Sequence, residues 1–212
     1  MLDNWEIALR GPKTLLVPYH ERYVKLYHSW MEDPWLRETT CSEQLSLEEE
    51  FTMQKEWKID SSKCTFIVAV AAAEGETGAF SAEEGRLSHK PVGDINLFLS
   101  QDGAEISVMI ADAAYSSVGQ TQHLRICSTR RCGLAKEAVV QMMKYGAEHI
   151  GIERFFCKIG DQNAASIALF QAIGFTQCGY AEAFKEVELE RVWKKGREMD
   201  EVGAIEQLPW PA

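Results

Sequence analysis

The stretch Arg130-Arg131-Cys132-Gly133-Leu134-Ala135 has a composition suited to holding phosphate. Two guanidinium groups, a glycine and a small residue precede a run whose apolar positions Leu134, Ala138, Val139, Met142, Met143 and Ala147 recur at helical spacing. The first N–H groups of a helix have no intrahelical acceptor, and the helix dipole adds partial positive charge there. An anion is therefore favoured at that end. Gly133 lets a ligand approach the backbone closely, and Arg130 and Arg131 would add full charges in a bidentate geometry. Cys132 occupies the same helix start, a setting that favours the thiolate.

The elements around this loop read in a definite order. Thr14 to Pro18 is a short apolar strand, and His20 to Met31 places Tyr23, Leu26, Tyr27 and Trp30 on one helical face, with Pro34 ending that element. A second helix starts at Ser46, whose capping-box partner would be Glu49, and carries Leu47, Phe51, Gln54 and Trp57 inward. Glu48, Glu49 and Glu50 fall at its positive end as dipole complement and solvated face. Trp30, Trp35 and Trp57 read as core, with the wall of a substrate groove as the alternative. Lys63 to Ala71 is a strand, 72–90 a mobile hairpin loop, and Pro91 to Leu99 the return strand. Gln101-Asp102-Gly103 then turns into Ala104–Ile110, which completes an antiparallel meander. After the helix that follows the loop come a strand from Arg154 to Ile159, a helix from Asn163 to Ile173 stopped by Gly174, and closing strands Phe175–Tyr180 and Phe184–Trp193. The expected organisation is an N-terminal segment 1–13, one domain over 14–193 and a flexible tail over 194–212.

Bulk properties narrow the function. A hydrophobic fraction of 46% and a charged fraction of 25% are those of a globular protein. A formal net charge of −10 argues against a general nucleic-acid binder and is compatible with an amine-bearing partner. The six cysteines form no C-x-x-C pair and the five histidines show no ligand spacing, so neither a metal site nor a disulfide framework is expected. Met1 to Glu6 is acidic and broken, and no apolar stretch reaches bilayer length. The expected setting is the cytoplasm or the nucleus, with no membrane partner.

The R-x-x-G-x-A pattern from Arg130 to Ala135 resembles the pyrophosphate loop of the GNAT superfamily of acetyl-CoA-dependent N-acetyltransferases. Asn163-x-x-Ser166-x-x-x-Phe170-x-x-x-Gly174-Phe175 resembles the N-x-x-S…G-F segment of the ribosomal-protein-alanine type. The stretches Leu16–Tyr19, Tyr27–Met31, Ser42–Glu48, Lys63–Val68 and Val92–Leu99 resemble the N-acetyltransferase 9-like branch, from about Gly11 to Val192. The resemblance implies an α/β (α+β) fold with a mixed, mostly antiparallel sheet flanked by helices. One departure stands out: 116–129 intervenes between Tyr115 and the loop, and its removal restores the family spacing, as a local insertion would.

The resemblance also implies a chemistry. Acetyl-CoA would be the co-substrate, without a metal. The backbone of Val108, Met109 and Ile110 would splay from its neighbouring strand and pair with the pantetheine arm. Arg130, Arg131, Cys132, Gly133, Leu134 and Ala135 would hold the pyrophosphate, and Asn163 and Ser166 would contact the cofactor. Glu105, at a strand start resembling that of histone acetyltransferases, is the first candidate general base, with a solvated strand-edge glutamate as the plain alternative. Asp94 is the second, unless it merely pairs across the meander. Phe170 replaces the tyrosine that many relatives use as an acid, leaving Tyr180, Tyr145, water or unassisted thiolate departure. The implied acceptor is an N-terminal α-amine or lysine of a protein or peptide, with tubulin as the partner the family suggests. The rival expectation is a catalytically weak binding protein on this fold that contacts microtubules.

Overall fold

The computed structural model describes residues 3–72, 77–80, 87–112, 133–194 and 205–211. Runs rich in Val, Ile and Phe, bounded by Gly, Pro and Asp, form the strands. These are β1 (Ile7–Arg10), β2 (Leu15–Pro18), β3 (Lys63–Ala71), β4 (His89–Ser100), β5 (Gly103–Ile110), β6 (Arg154–Gly160), β7 (Thr176–Ala181), β8 (Glu186–Val192) and β9 (Glu206–Pro209). Among the described residues they make one sheet of order β7-β8-β6-β5-β4-β3-β2-β1-β9. Every pairing is antiparallel except β5 with β6. The expected mixed sheet and the β3–β4–β5 meander are both present.

Alternation along the central strands sends side chains to two cores. Cys64, Phe66 and Val68 of β3 join Ile95, Leu97 and Ile106 beneath α4 (Leu134–Tyr145) and α5 (Ala164–Ala172). Ile67, Ala69 and Met109 face the opposite way, with Tyr19, Tyr23, Tyr27 and Met31, towards α1 (Val24–Met31), α2 (Pro34–Thr40) and α3 (Leu47–Ile59). Burying each such side chain contributes roughly 1.5–3 kcal/mol, which is why the sheet's centre is the stable frame for everything else.

Several expectations change at the chain's ends and along the helices. Pro34 does not end a helix but begins one: it occupies the first turn of α2, where its missing N–H costs nothing, and Asp33 caps the turn by accepting from Trp35 N–H at 2.9 Å. The Ser46–Glu49 capping box forms as expected. Gln54 is buried as expected, but Leu47 is 36% exposed and Glu50 is buried in its stead, so the inward face of α3 is turned from the expected one. Gln54 donates to Tyr19 O at 2.8 Å, and Glu50 lies 3.9 Å from His28 Nδ1. Glu50 is therefore not on a solvated face. Trp57 and Trp30 pack on Tyr27, but Trp35 is exposed. Within the expected loop, Phe80 pairs with His89, and β4 starts there rather than at Pro91.

Neither end behaves as a separate segment. Asp3–Glu6 forms a 3-10 turn, Asn4 donates to Thr65 O at 2.9 Å, and β1 lies within the sheet. The expected flexible tail is overturned over its last described residues. β9 pairs with β1 from Ile7↔Pro209 to Arg10↔Glu206, and Trp210 is 1% exposed with its backbone N–H donating to Glu6 O at 2.7 Å. Pro209 is tolerated because β9 is an edge strand, and the apolar surface of one indole holds the end down. The 116–129 stretch and residues 195–204 lie outside the described residues.

Candidate active site

A wedge opens in the middle of the sheet. The parallel pairing of β5 with β6 comprises Ala104↔Phe155 and Glu105↔Phe156. On its other side β5 stays paired with β4 as far as Gly93↔Ile110, and β6 stays paired with β8 as far as Gly160↔Glu186. Beyond Glu105 the two strands therefore part. In a strand the peptide groups alternate in direction, so those of Val108, Met109 and Ile110 that do not meet β4 face the wedge. Gly93 is required opposite: a Cβ there would collide with the Met109 carbonyl.

The helix α4 packs across β4 and β5 and starts on Gly133, whose φ of 79° lies in the left-handed region that suits glycine. Its first turn has no side-chain cap. Leu134 is buried in the core and Ala135 is half-buried. Arg130, Arg131 and Cys132 lie outside the described residues. Sequence reasoning missed what fixes this helix start from beneath. Glu137 is buried, and its Oε1 accepts from Lys13 N–H and Thr14 N–H at 2.8 Å and from Thr14 Oγ1 at 2.9 Å. A carboxylate inside the first turn also complements the helix dipole. At the other helix start, Asn163 Oδ1 accepts from Ser166 N–H at 3.1 Å, an N-cap that orders the α5 entry.

The two candidate carboxylates share the sheet face that carries α1–α3, but not the same level. Glu105 sits cross-strand from Phe98 at the wedge apex, with its Oε2 3.5 Å from Lys158 Nζ. Asp94 sits cross-strand from Met109, four residues further along β5, or about 13 Å at the usual strand rise. It is 3% exposed and accepts from Asn96 Nδ2 at 2.7 Å. Burial pushes its carboxyl up to about 6, against the opposing pull of Asn96 and Lys63. Burial in turn pulls the Lys63 ammonium down to about 7, where it lies over the Trp57 and Phe98 rings.

The aromatic candidates separate cleanly. Phe170 is 3% exposed and meets Phe175 edge-to-face at 5.0 Å, so it is a core side chain. Tyr145 is buried between Phe66 and His149. Tyr180 is 45% exposed and donates to Asp161 Oδ2 at 2.9 Å, a bond that, followed by burial, raises its phenol above the usual range. Among the described residues no His, Cys, Asp and Glu group could hold a metal, and no helix is long and apolar enough to cross a membrane.

The profile of the acetyltransferase (GNAT) domain matches residues 13–176. The chain belongs to the GNAT acetyltransferase family. This acetyltransferase is 40% identical over 194 residues to the N-acetyltransferase 9-like protein of Nematostella vectensis, covering 90% of this chain and 88% of the other. It is 36% identical over 216 residues to the human alpha/beta-tubulin-N-acetyltransferase 9, covering 98% and 95%. The spermidine N-acetyltransferase of Vibrio cholerae, solved with CoA and spermine, shares the fold with a TM-score of 0.61 at 13% identity, covering 88% of this chain and 95% of that one.

GNAT acetyltransferases use acetyl-CoA. The wedge leaves strand peptide groups unpaired with β6, and among the described residues the atom nearest to where a Cβ on Gly133 would stand is Lys13 Nζ, at 3.5 Å.

Proposed function

We propose that this chain transfers an acetyl group from acetyl-CoA to an amine of a protein, with the N-terminus of a tubulin chain as the acceptor. The observation that carries the reading is the parting of β5 from β6 directly after Glu105, on a sheet whose α4 starts at a left-handed glycine. The relatives named as tubulin N-acetyltransferases, among them the human protein, support the acceptor.

When bound, acetyl-CoA supplies an activated thioester carbonyl. The Gly133–Leu134 helix start would hold its diphosphate, the Val108–Ile110 backbone its pantetheine arm, and the Asn163 turn its far flank. A peptide N–H from the wedge side of β5 is the donor available to an oxyanion. An arm that runs from the α4 start down β5 ends towards the apex, at Glu105 rather than at Asp94. We therefore assign Glu105 as the group that takes the amine proton. Lys158 lies 3.5 Å from its Oε2 and holds the carboxylate at the wedge apex. Asp94, buried four residues away, serves the core beneath Tyr19 and Tyr27. Phe170 supplies no proton, and a thiol with a pKa of about 8.5 leaves without one.

An α-amine suits this site better than lysine. At pH 7.4 roughly a quarter of α-amines are already neutral, against about one in a thousand lysines, so the demand on the base is smaller. We place the reaction in the cytoplasm, an assignment that the free thiols of Cys41, Cys64, Cys157 and Cys178 support. The test is acetyl-CoA-dependent thiol release with tubulin and with peptides offering either an N-terminal amine or an internal lysine, the product mapped by mass spectrometry. Acetyl on the N-terminal nitrogen is expected. Thiol release with none of these acceptors, from a chain that binds acetyl-CoA, would support the binding-protein reading instead.

A further inference from the structure

An amine delivered to Glu105 must lie against whatever flanks Glu105 on its own side of the sheet, and the strand register fixes what that is. Phe98 of β4 stands directly opposite Glu105, and Phe156 of β6 is its partner in the parallel pairing. Lys63 continues the row on β3 and Glu190 on β8. Residues paired in register share a face, and their Cα atoms stand about 5 Å apart. The carboxylate therefore rises between two phenyl side chains.

This row is open to an acceptor. Phe98 is 40% exposed, Phe156 is half-buried, and the Glu105 side chain is 31% exposed. Helix α3 meets the row at its β3 end, where the Lys63 Nζ lies over the Trp57 ring. Among the described residues neither Phe98 nor Phe156 is part of the two buried cores. Each ring has a cation on it: Lys63 Nζ is 4.6 Å from the Phe98 centroid, and Arg154 Cζ is 5.0 Å from that of Phe156. Arg154 is tied to Glu190 at 2.7 Å, and Lys158 stands 3.5 Å from Glu105. The surface beside the carboxylate is thus aromatic and bordered by positive charge. An ammonium suits the carboxylate, and a neutral apolar side chain suits the rings. A second cation next to the first would meet Arg154 and Lys158.

We propose that Phe98 and Phe156 select the acceptor: its α-ammonium meets Glu105, and the side chain of its first residue lies across the two rings. An apolar first residue such as methionine or leucine is then preferred. The proposal rests on the assignment of Glu105 given under Proposed function and deepens it, from an amine of a protein to an N-terminus of stated chemistry. One carboxylate answers one ammonium, and ring surface answers a flexible apolar chain. The rings act on the binding of the acceptor and Glu105 on its proton, so their effects fall on different kinetic constants.

Acetyl-CoA-dependent thiol release tests this with peptides that differ only in the first residue: Met, Leu, Ser or Lys. The full chain is compared with its Phe98→Ala, Phe156→Ala, Phe156→Leu and Glu105→Gln variants, with thermal melts as the check on folding. Wild type should favour Met and Leu over Ser by roughly tenfold in kcat/KM, the effect of burying one or two methylene groups, and should take Lys least well. Phe98→Ala should raise KM for the Met peptide by roughly three- to tenfold, with kcat moving far less, and narrow the gap between Met and Ser. Phe156→Ala should do the same, and Phe156→Leu, which keeps apolar volume at a half-buried site, should fall between it and wild type. A wild type that takes Ser or Lys as readily as Met, or ring variants that lose kcat equally with every peptide, overturns the rings. An inactive Glu105→Gln beside that result leaves the base standing. Undiminished turnover in Glu105→Gln overturns the base, and the rings with it, because their place in the acceptor site follows from the base. Thiol release with none of the peptides, from a chain that binds acetyl-CoA, overturns both.

Discussion

Asp94 should cost this protein stability at alkaline pH, and replacing it with asparagine should recover part of that cost. Its carboxyl is buried at the level of Met109, beside Asn96, Lys63, Tyr19 and Tyr27, and titrates near 6 in the folded chain against 3.8 when free. Well below pH 3.8 the group is protonated in both states and contributes nothing. Between pH 4 and 6 the folded state holds the proton and the unfolded state releases it, so stability falls as pH rises through that window. At about 1.36 kcal/mol per tenfold, the gap between 3.8 and about 6 amounts to about 3 kcal/mol once the group is fully ionised. At pH 8 Lys63, brought down to about 7, has largely released its own proton and no longer offsets the buried charge. Asp94→Asn keeps an acceptor for Asn96 but adds an N–H₂ that needs a partner, which takes back about 1 kcal/mol. The variant should therefore be about 2 kcal/mol more stable than wild type in urea unfolding at pH 8, with the advantage fading below pH 5. An Asp94→Asn protein less stable at pH 8, or a difference that does not vary between pH 4 and 6, would refute the picture of a carboxylate whose desolvation outweighs its partners.

Other substitutions separate the remaining assignments. Glu105→Gln should lower kcat by roughly a hundredfold or more while calorimetry gives the wild-type CoA affinity, because the residue acts on the acceptor proton alone. Phe170→Tyr, which restores the hydroxyl common among relatives, should not raise turnover. It puts that hydroxyl in the core against Phe175 and should cost about 1–3 kcal/mol in denaturant melts. Trp210→Ala should cost roughly 3–5 kcal/mol by the same measurement, far more than a loose tail could account for.

What could be read from the sequence was what depends on neighbours along the chain. The meander followed from Gly and Asp turns between apolar runs, and the start of α3 from Ser46 and Glu49 three residues apart. The wedge was expected only through the family resemblance, because Glu105 to Ile110 reads as an uninterrupted strand and the parting lies in its pairing with β6. Glu50 was read as solvated because its partner His28 is on another helix, and the Gln54 contact with Tyr19 that helps set the α3 face is 35 residues away in sequence. Trp210 was read as part of a tail because a single indole among prolines has no period to betray it. It is buried only because Glu6 and His89 lie where β1 and β4 bring them.

The same reasoning changes what counts as the functional unit. The far edge of the sheet, from β2 through β1 to β9, lies well away from the wedge in strand order and would pass for scaffolding. Yet β1 runs directly into the turn that carries Lys13, and Glu137 ties that turn to the first turn of α4. The strand pairing that keeps β1 in place continues on its outer side to β9, where the Trp210 backbone N–H closes on the Glu6 carbonyl. A rigid edge is therefore a condition for a fixed α4 start, since Glu137 can accept from the backbone of residues 13 and 14 only while β1 and β2 hold their turn in place. Residues 3–13 and 205–211 thus brace the start of α4 mechanically, although they lie at the two ends of the sequence.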